Sequence, residues 1–282
     1  MYDGFAGLNV EVAGGIATVT IDSPPINLFT IELFLATARL AQQLADDDAV
    51  RVVVMRSANP EFFIAHFDVE AILTFPTFPD GVPEPTELNA YHVMCEAFRT
   101  MPKATIAVIE GRVGGGGSEL ALSFDMRFAS PGAVFSQPEV ALGILPGGSA
   151  TVRLPRLIGR SRALEVILGC DDIDARTAES WGWVNRVLPD GELWPFVDRL
   201  AARIATFPPH AVAAAKACVV RAEQNVEPDL LAEGAAFTGT LGGPGTQDAM
   251  RRFLELGGQT REGELRLGEL AGEVATTTGE PA

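Results

Sequence analysis

Two glutamates, Glu119 and Glu139, lie in a stretch that is rich in glycine. From Gly114 to Gly147 the chain contains seven glycines and only these two glutamates, twenty residues apart. Glycines at a strand-to-helix turn let a ligand approach the backbone closely and leave N–H groups that can bind developing negative charge. Two carboxylates in largely apolar sequence are suited to acid/base catalysis. Together these features predict proton transfer beside a backbone site that stabilises an anion.

The neighbouring sequence predicts how the glycines are positioned. An apolar strand-like run, residues 105–109, precedes them, and a helix-forming run, residues 119–124, follows. The composition is that of a flexible linker, but the placement is not. We expect Gly116 to begin a helix, where its N–H is unpaired and the helix dipole favours negative charge. The same dipole is expected to keep Glu119 ionised as a base, whereas apolar neighbours raise the pKa of Glu139.

The elements before the glycines are predicted from apolar periodicity and turn residues. In order they are a hairpin at residues 8–22, helices at 30–45, 69–73 and 87–101, and strands at 50–56 and 105–109. The alternation of strands and helices predicts an α/β fold with parallel strands. The segment Phe75–Pro85 is too rich in proline for a regular element, so it is either a surface loop or a mobile lid beside the site.

After Gly148 the sequence becomes mainly helical. The predicted elements are helices at residues 149–158, 161–168, 175–181, 193–206, 209–223, 228–240 and 246–256, and one strand at 184–188. We therefore expect a core at residues 1–192 and a helical region at 193–256 that packs on the core or on a neighbouring subunit. Residues 257–282 are polar and acidic, which predicts a partly disordered tail.

Composition limits the classes of partner. The 282 residues have a formal net charge of −16. This argues against nucleic-acid binding, which requires a basic face to neutralise phosphates. It also argues against adhesion to anionic membranes. A small phosphorylated ligand is still compatible, because a few local cations and backbone N–H groups can hold one.

Cysteines and the first residues bear on the cellular compartment. Cys95, Cys170 and Cys218 are odd in number, far apart and without metal-ligand spacing, which predicts reduced, buried thiols. Residues 1–5 are acidic where a signal peptide would be basic, and no apolar run approaches about 18 residues. We expect a soluble, cytoplasmic protein.

Residues 102–159 resemble the enoyl-CoA hydratase/isomerase (crotonase) family. The matching motifs are Gly111-Arg-Val-Gly-Gly-Gly-Gly-Ser-Glu119-Leu-Ala, Asp125-Met-Arg-Phe-Ala, Phe135-Ser-Gln-Pro-Glu139, Leu142-Gly-Ile-Leu-Pro-Gly147 and Arg153-Leu-Pro-Arg-Leu-Ile-Gly159. A glycine-rich loop alone is a weak signal, but these motifs in this order and spacing are a strong one. Weaker agreement extends from the first hairpin to about Val187.

The resemblance implies a fold, an assembly and a substrate class. The implied fold is a spiral of ββα units with a helical C-terminal region, assembled as homotrimers or hexamers. The implied substrates are acyl-CoA thioesters, with coenzyme A as part of the substrate and no separate cofactor. The implied oxyanion donors are the N–H groups of Phe67 and Gly116, and the implied catalytic residues are Glu119 and Glu139. The further substrate-binding positions expected beside them are Ala65, His66, Asp68, Gly115, Pro138, Leu142 and Gly147.

The chemistry of a thioester agrees with this assignment. Protons alpha to a thioester are weakly acidic, so two donors on its oxygen matter most, each worth roughly 3–4 kcal/mol. The leading hypothesis is an enoyl-CoA hydratase of fatty acid metabolism, which adds water across the 2,3 double bond with one glutamate as base and one as acid. An isomerase that moves a 3-enoyl double bond would need mainly Glu139. An acyl-CoA-binding or assembly subunit without activity is the alternative of another class.

The chain departs from the family pattern at two places. The family commonly has Ala-Gly-Ala-Asp where this chain has Ala65-His66-Phe67-Asp68. His66 therefore either points away and packs or reshapes the thioester pocket, and Asp68 either caps the next helix or contacts substrate. His92 and His210 are predicted to be structural. The second departure is Arg252-Phe-Leu-Glu-Leu-Gly-Gly, which lacks the Lys-Arg pair that in the family helps to cover adenine.

Overall fold

The computed structural model describes residues 2–79 and 81–276. Its strands are β1 (Leu8–Ala13), β2 (Ile16–Ile21), β3 (Val52–Ser57), β4 (Phe62–Ile64), β5 (Ala104–Ile109), β6 (Arg112–Gly114), β7 (Met126–Ala129), β8 (Val134–Ser136), β9 (Ile173–Asp174) and β10 (Arg186–Val187). Its helices are α1 (Ile31–Asp46), α2 (Val69–Ile72), α3 (Ala90–Thr100), α4 (Gly115–Leu122), α5 (Ala150–Ile158), α6 (Arg160–Gly169), α7 (Ala175–Trp181), α8 (Leu193–Ala205), α9 (Pro209–Arg221), α10 (Val226–Leu241), α11 (Thr246–Glu255), α12 (Arg261–Glu264) and α13 (Leu267–Thr276), with a 3-10 helix at Glu139–Leu142.

The strands form two sheets, and from β3 to β8 successive strands of the chain alternate between them. The larger sheet has the order β1-β2-β3-β5-β7-β10, and the smaller one has the order β4-β6-β8-β9. Strands β3, β5 and β7 each pass directly to a strand of the smaller sheet, and a helix follows β4, β6 and β8. Neighbours are parallel except for the β1–β2 hairpin and the β8–β9 pair. This is the expected spiral of ββα units.

Strand β5 shows why the central strands are continuous apolar runs. Ala107 and Ile109 face the core under α1 and α3, whereas Ile106 and Val108 face a second core under α8. All six residues of β5 are buried. A parallel strand that is covered on both faces lacks the alternation of an amphipathic strand.

Several predicted elements are confirmed. The hairpin forms with β1 and β2 antiparallel around Gly14 and Gly15. Helix α1 begins after Thr30, whose side chain accepts a hydrogen bond from the Leu33 N–H at 3.2 Å. The described residues of the proline-rich segment Phe75–Pro85 form no helix or strand.

The glycine run begins a helix close to the predicted position. Helix α4 begins at Gly115, one residue before the predicted start at Gly116, and the short strand β6 precedes it. Glycine is needed in this first turn because α4 approaches β4 closely. A Cβ atom built on Gly117 would lie 2.6 Å from the Cβ of Ile64, so only glycine permits this packing.

Residues 261–276, within the segment expected to be a partly disordered polar tail, are largely helical. They form α12 and α13, and Leu267, Leu270 and Val274 are buried against α11 and the 3-10 helix. These three apolar residues share one helical face, although the average composition of the segment is polar. Residues 277–282 lie outside the described residues.

The three cysteines are free, and Cys95 and Cys170 are buried as expected. Cys218 is exposed, contrary to the prediction, because α9 buries none of its side chains. Within residues 2–79 and 81–276, none of the helices has both the length and the apolar character needed to span a bilayer.

Candidate active site

A cavity of about 340 Å³ opens between α3, α4, α10 and the turn before α5. Its charged lining consists of Glu119 and Glu139. Six aromatic side chains line the rest of its wall together with aliphatic residues: Phe34, Phe67, Phe75, Phe78, Tyr91 and Phe237. A concave, mainly apolar space with two convergent carboxylates is typical of an active site.

Glu119 is held by backbone amides. It lies on α4 and is 4% exposed. Its Oε1 accepts hydrogen bonds from the N–H groups of Gly148 and Ala150, both at 2.9 Å. Ala150 begins α5, where the first N–H groups have no partner within the helix. A Cβ atom built on Gly148 would lie 2.5 Å from Glu119 Oε2, so a glycine is required beside this carboxylate.

Glu139 has a different environment. It begins the 3-10 helix directly after Pro138. Its Oε2 is buried and has no hydrogen-bond partner among the described residues. Its Oε1 lies 2.8 Å from the position of a Cβ built on Gly115, whose φ of 45° also requires glycine. An unpartnered carboxylate oxygen in a cavity wall is free to bind water or substrate.

The two carboxylates retain a proton more readily than exposed glutamates. Burial raises the pKa of Glu139 to about 7, as expected from its apolar neighbours. Burial also raises the pKa of Glu119 well above its usual range, and the charges of Glu139 and Glu233 raise it further. The helix dipole that is expected to keep Glu119 ionised therefore acts against a desolvation cost that favours the protonated form. Since Oε1 of Glu119 already accepts two N–H groups, a proton on this residue lies on Oε2.

The two expected oxyanion donors lie side by side. Phe67 forms a parallel bridge with Phe29, in which the Phe29 N–H donates to His66 O at 2.9 Å. Because a trans peptide is planar, the Phe67 N–H points away from Phe29 on the opposite side of the chain. Gly116 lies in the first turn of α4, where N–H groups are unpaired within the helix. A Cβ built on Gly116 would lie 3.2 Å from the Phe67 Cβ, so Gly116 and Phe67 are direct neighbours.

Three of the other expected binding positions support the glutamates. Gly147 lines the cavity, and a Cβ on it would lie 2.5 Å from the ring of Phe237. Gly115 and Pro138 do not line the cavity but lie against or directly before Glu139. These positions therefore shape the backbone around the carboxylate.

Three more expected positions lie behind the cavity wall. Ala65 is buried in a small cluster with Ile26 and Phe62, and Leu142 is buried in the core beneath α11. Asp68 caps α2, with its side chain accepting a hydrogen bond from the Glu70 N–H at 2.9 Å. The structure thus favours the capping alternative for Asp68.

His66 points away from the cavity. Its Nε2 lies 2.9 Å from Glu264 Oε1, and its Nδ1 lies 2.7 Å from Phe67 O. Its ring also packs edge-on against Phe253 at 5.5 Å between centroids. Burial disfavours the charged ring, but Glu264 and the Phe67 carbonyl outweigh it and raise the pKa of His66 to about 9. Of the two alternatives for His66, its position agrees with the first, in which the side chain points away from the cavity and packs.

A second histidine–glutamate pair could not be found from the sequence. His92 Nε2 lies 3.0 Å from Glu233 Oε1, and both side chains are buried. Glu233 Oε2 accepts from the Thr151 N–H at 3.0 Å and from the Thr151 hydroxyl. The available signal was Glu233 itself, the acid between Leu230 and Phe237 in the apolar part of α10.

No metal site is evident at these residues. In the part of the chain that the structure describes, no group of three or more histidine, cysteine, aspartate or glutamate side chains is arranged to hold a metal ion.

Comparison with known proteins identifies the family. A family model described as enoyl-CoA hydratase/isomerase matches residues 11–260. The short-chain-enoyl-CoA hydratase of Clostridium acetobutylicum is 31% identical over 252 residues, which are 87% of this chain and 94% of the relative. The crotonyl-CoA hydratase of Syntrophomonas wolfei is 31% identical over 254 residues, which are 89% of this chain and 96% of the relative. A solved structure of a candidate enoyl-CoA hydratase from Streptomyces avermitilis superposes with a TM-score of 0.87 and 36% identity, covering 97% of this chain and 100% of the other.

The chain therefore belongs to the enoyl-CoA hydratase/isomerase family. This confirms the resemblance drawn from the motifs and the crotonase-like spiral of ββα units. The chain is a crotonase-family enzyme.

Proposed function

We propose that the protein is an enoyl-CoA hydratase that adds water across the 2,3 double bond of an acyl-CoA thioester. The observation that supports this most directly is the placement of Glu119 and Glu139 in one cavity wall together with Phe67 and Gly116. Hydration needs both parts, because water must lose a proton, C2 must gain one, and the thioester oxygen must hold negative charge between the two transfers.

The proposed reaction uses the shared proton of the glutamate pair. The thioester oxygen accepts hydrogen bonds from the N–H groups of Phe67 and Gly116, and a water binds between the carboxylates. The ionised carboxylate takes a proton from this water as its oxygen bonds to C3. The π electrons move to an enolate held by the two N–H groups. The protonated carboxyl group then gives its proton to C2, so the pair ends with the same number of protons.

The cavity wall supports an apolar acyl group. Phe34, Phe75 and Phe237 form an aromatic surface beside the carboxylates, with no charged side chain other than Glu119 and Glu139 in the described lining. An apolar acyl group gains free energy when it leaves water for such a surface. We propose no separate cofactor, since coenzyme A enters as part of the substrate.

Conservative glutamine variants test the proposal. Glu119→Gln and Glu139→Gln should each lower kcat for crotonyl-CoA about 10²–10⁴-fold, because each removes one proton-transfer group. The loss of the conjugated enoyl-thioester absorbance measures the rate. Thermal unfolding of each variant should match the wild type. Equal activity in all three proteins would exclude the two-glutamate mechanism, and tight acyl-CoA binding without turnover by the wild type would indicate a binding subunit.

An isomerase is the second candidate, and one observation favours it. Glu119 Oε1 is occupied by two backbone N–H groups, whereas Glu139 Oε2 has no partner. Shifting a 3-enoyl double bond needs one base that moves a proton between C2 and C4, and Glu139 alone could serve. Retained turnover of a 3-enoyl-CoA by Glu119→Gln, with none by Glu139→Gln, would support the isomerase.

We also propose assembly as a homotrimer or hexamer. Family membership supports this, and so do the exposed apolar side chains of Leu164, Leu168 and Val219, which would be covered between subunits. Light scattering of the purified protein gives the subunit number directly. A monomer at working concentration would contradict the proposal.

A further inference from the structure

We infer that His66, held by Glu264, is a positioning residue that fixes the Phe67 backbone and places positive charge behind Glu139. The inference rests on the proposed function, because it assigns a role to residues around the proposed oxyanion site. It concerns the position where this chain has histidine and the family commonly has glycine. The evidence consists of the contacts of the imidazole ring, the orientation of the Phe67 peptide groups and the charges that face the ring.

Both ring nitrogens of His66 donate hydrogen bonds. Phe67 O lies 2.7 Å from Nδ1, and because a carbonyl oxygen only accepts, Nδ1 bears a proton. Glu264 Oε1 lies 2.9 Å from Nε2 and also accepts the Gln259 N–H at 2.8 Å. Two donors on one oxygen stabilise the carboxylate form of Glu264, so Nε2 bears a proton as well. With His66 4% exposed and Glu264 1% exposed, this is a buried ion pair.

The imidazole ring fixes the peptide group after Phe67, and the bridge to Phe29 fixes the one before it. The peptide before Phe67 is held by the Phe29 N–H, which donates to His66 O. The peptide after it is held by His66 Nδ1 on Phe67 O and by the Asp68 N–H, which donates to Phe29 O at 3.2 Å. The direction of the Phe67 N–H is therefore set by three hydrogen bonds. A glycine at position 66 could not make the side-chain bond.

The partner of His66 belongs to a segment that holds the same loop at a second point. Gln259 Oε1 accepts a hydrogen bond from the Val69 N–H at 2.6 Å, at the first turn of α2. Gln259 and Glu264 are themselves joined by the bond from the Gln259 N–H. Gln259 and Glu264 thus hold the loop from His66 to Val69 at both ends, and we call these two contacts the C-terminal clamp.

The charge of His66 also acts on the cavity. Two charged groups act on the His66–Glu264 pair from outside. Glu139, on the 3-10 helix, acts on His66, and Arg112, on β6, acts on Glu264. A Cβ built on Gly115 would lie 2.8 Å from Glu139 Oε1 and 3.0 Å from His66 Cβ, so His66 and Glu139 flank this glycine. The positive ring opposes the rise in the pKa of Glu139 that burial causes.

Kinetics of His66→Ala, Glu264→Gln and the double variant test the inference. For crotonyl-CoA, we expect His66→Ala to lower kcat about ten- to a hundredfold, because a displaced donor acts mainly on the transition state. KM should change little, and the midpoint of the pH profile that belongs to Glu139 should move to higher pH. Glu264→Gln should act in the same direction, because burial favours the neutral form of a ring that has lost its carboxylate partner. The double variant should be no slower than His66→Ala, because both changes disrupt the same ion pair.

A matched control separates positioning from simple anchoring of the C-terminal segment. Arg261→Ala breaks the exposed ion pair between Arg261 and Glu61, which ties the same segment to the core. This variant should leave kcat and the pH midpoint unchanged. Hydrogen exchange of the backbone amides at residues 64–69 should become faster in His66→Ala and in Glu264→Gln, but not in Arg261→Ala.

The outcomes that would overturn the inference are distinct from those that would overturn the proposed function. Unchanged kcat, pH midpoint and hydrogen exchange in folded Glu264→Gln, which keeps the size of the side chain, would exclude the clamp. Equal losses in Arg261→Ala would do the same. If the wild type hydrates no enoyl-CoA, the proposed function fails, and the exchange measurement still decides whether the clamp fixes the loop.

Discussion

The two cavity glutamates are supported in different ways, although each has a buried histidine–glutamate pair behind it. Glu119 accepts two backbone N–H groups at the start of α5, and the Glu233–His92 pair holds the next amide of the same helix. We call this the α5 side. Glu139 accepts no side-chain or backbone donor on Oε2, and the His66–Glu264 pair lies behind it. We call this the clamp side.

The difference shows two ways to keep a carboxylate in an apolar cavity. On the α5 side, helix N–H groups compensate part of the cost of burial. On the clamp side, the compensation comes from the backbone N–H of Glu139 itself and from the nearby positive charge of His66, and one carboxylate oxygen stays free for a ligand. A free carboxylate oxygen can act on a ligand only if its position is fixed. Here the backbone around Glu139 and the C-terminal clamp fix that position.

The largest expected effect comes from adding one methyl group on the α5 side. Gly148→Ala should lower kcat for an enoyl-CoA about 10²-fold, because its Cβ would lie 2.5 Å from Glu119 Oε2 and displace the carboxylate. Gly169→Ala is the control, since a Cβ there would meet no atom within 4 Å. Steady-state kinetics measure both. Wild-type activity in Gly148→Ala would show that the amide contacts of Glu119 are not needed.

The clamp side should make the stability of the fold depend on pH. The pKa of His66 rises from 6.5 to about 9 on folding, so its pair contributes stability that is complete below pH 6.5 and is lost as pH rises through about 9. The raised pKa of Glu139 acts in the same direction near pH 7. Thermal unfolding of wild type and His66→Gln should therefore differ most at pH 6 and converge above pH 9. A difference that is constant with pH would show that His66 is neutral in the folded protein.

The two sides should move the titration of Glu139 in opposite directions. The charge of Glu233 raises the pKa of Glu139, whereas the charge of His66 lowers it. Glu233→Gln should therefore shift the kinetic pH midpoint below about 7, and His66→Gln should shift it above. The pH dependence of kcat/KM measures both. Shifts of the same sign would contradict the comparison.

The smallest expected effect is the loss of one hydroxyl on the α5 side. Thr151→Val removes a hydrogen bond to Glu233 but keeps the one from the Thr151 N–H. The free energy of unfolding should fall by about 1 kcal/mol, with kcat almost unchanged. Chemical denaturation and steady-state kinetics test this. A large loss of kcat would show that Thr151 takes part in the reaction and does not only hold Glu233.

The sequence predicted the larger sheet better than the smaller one. Strand β5 and helix α1 are long enough to show their periodicity, so both were predicted close to their observed limits. Strand β4 has no counterpart among the predicted elements, because a three-residue strand gives no periodic signal. The tail was assigned from composition, which hid the apolar face of α13.

The sequence likewise predicted only part of the candidate site. Glu119 and Glu139 were found because they lie within one motif-rich segment. The pairs with Glu233 and Glu264 were not, because each joins residues more than a hundred positions apart, and no local pattern reports such a contact. The rise in the pKa of Glu119 was not predicted either, since desolvation depends on packing that the sequence does not reveal.

The polar composition of the last residues conceals how strongly they are constrained. A stop codon after residue 256 would remove only residues that composition marks as dispensable. It would nevertheless delete Gln259 and Glu264, along with the helix whose Leu267 side chain lies 3.4 Å from the Cβ position of Gly114. In a genetic screen, nonsense and frameshift alleles in this region should therefore behave like active-site alleles.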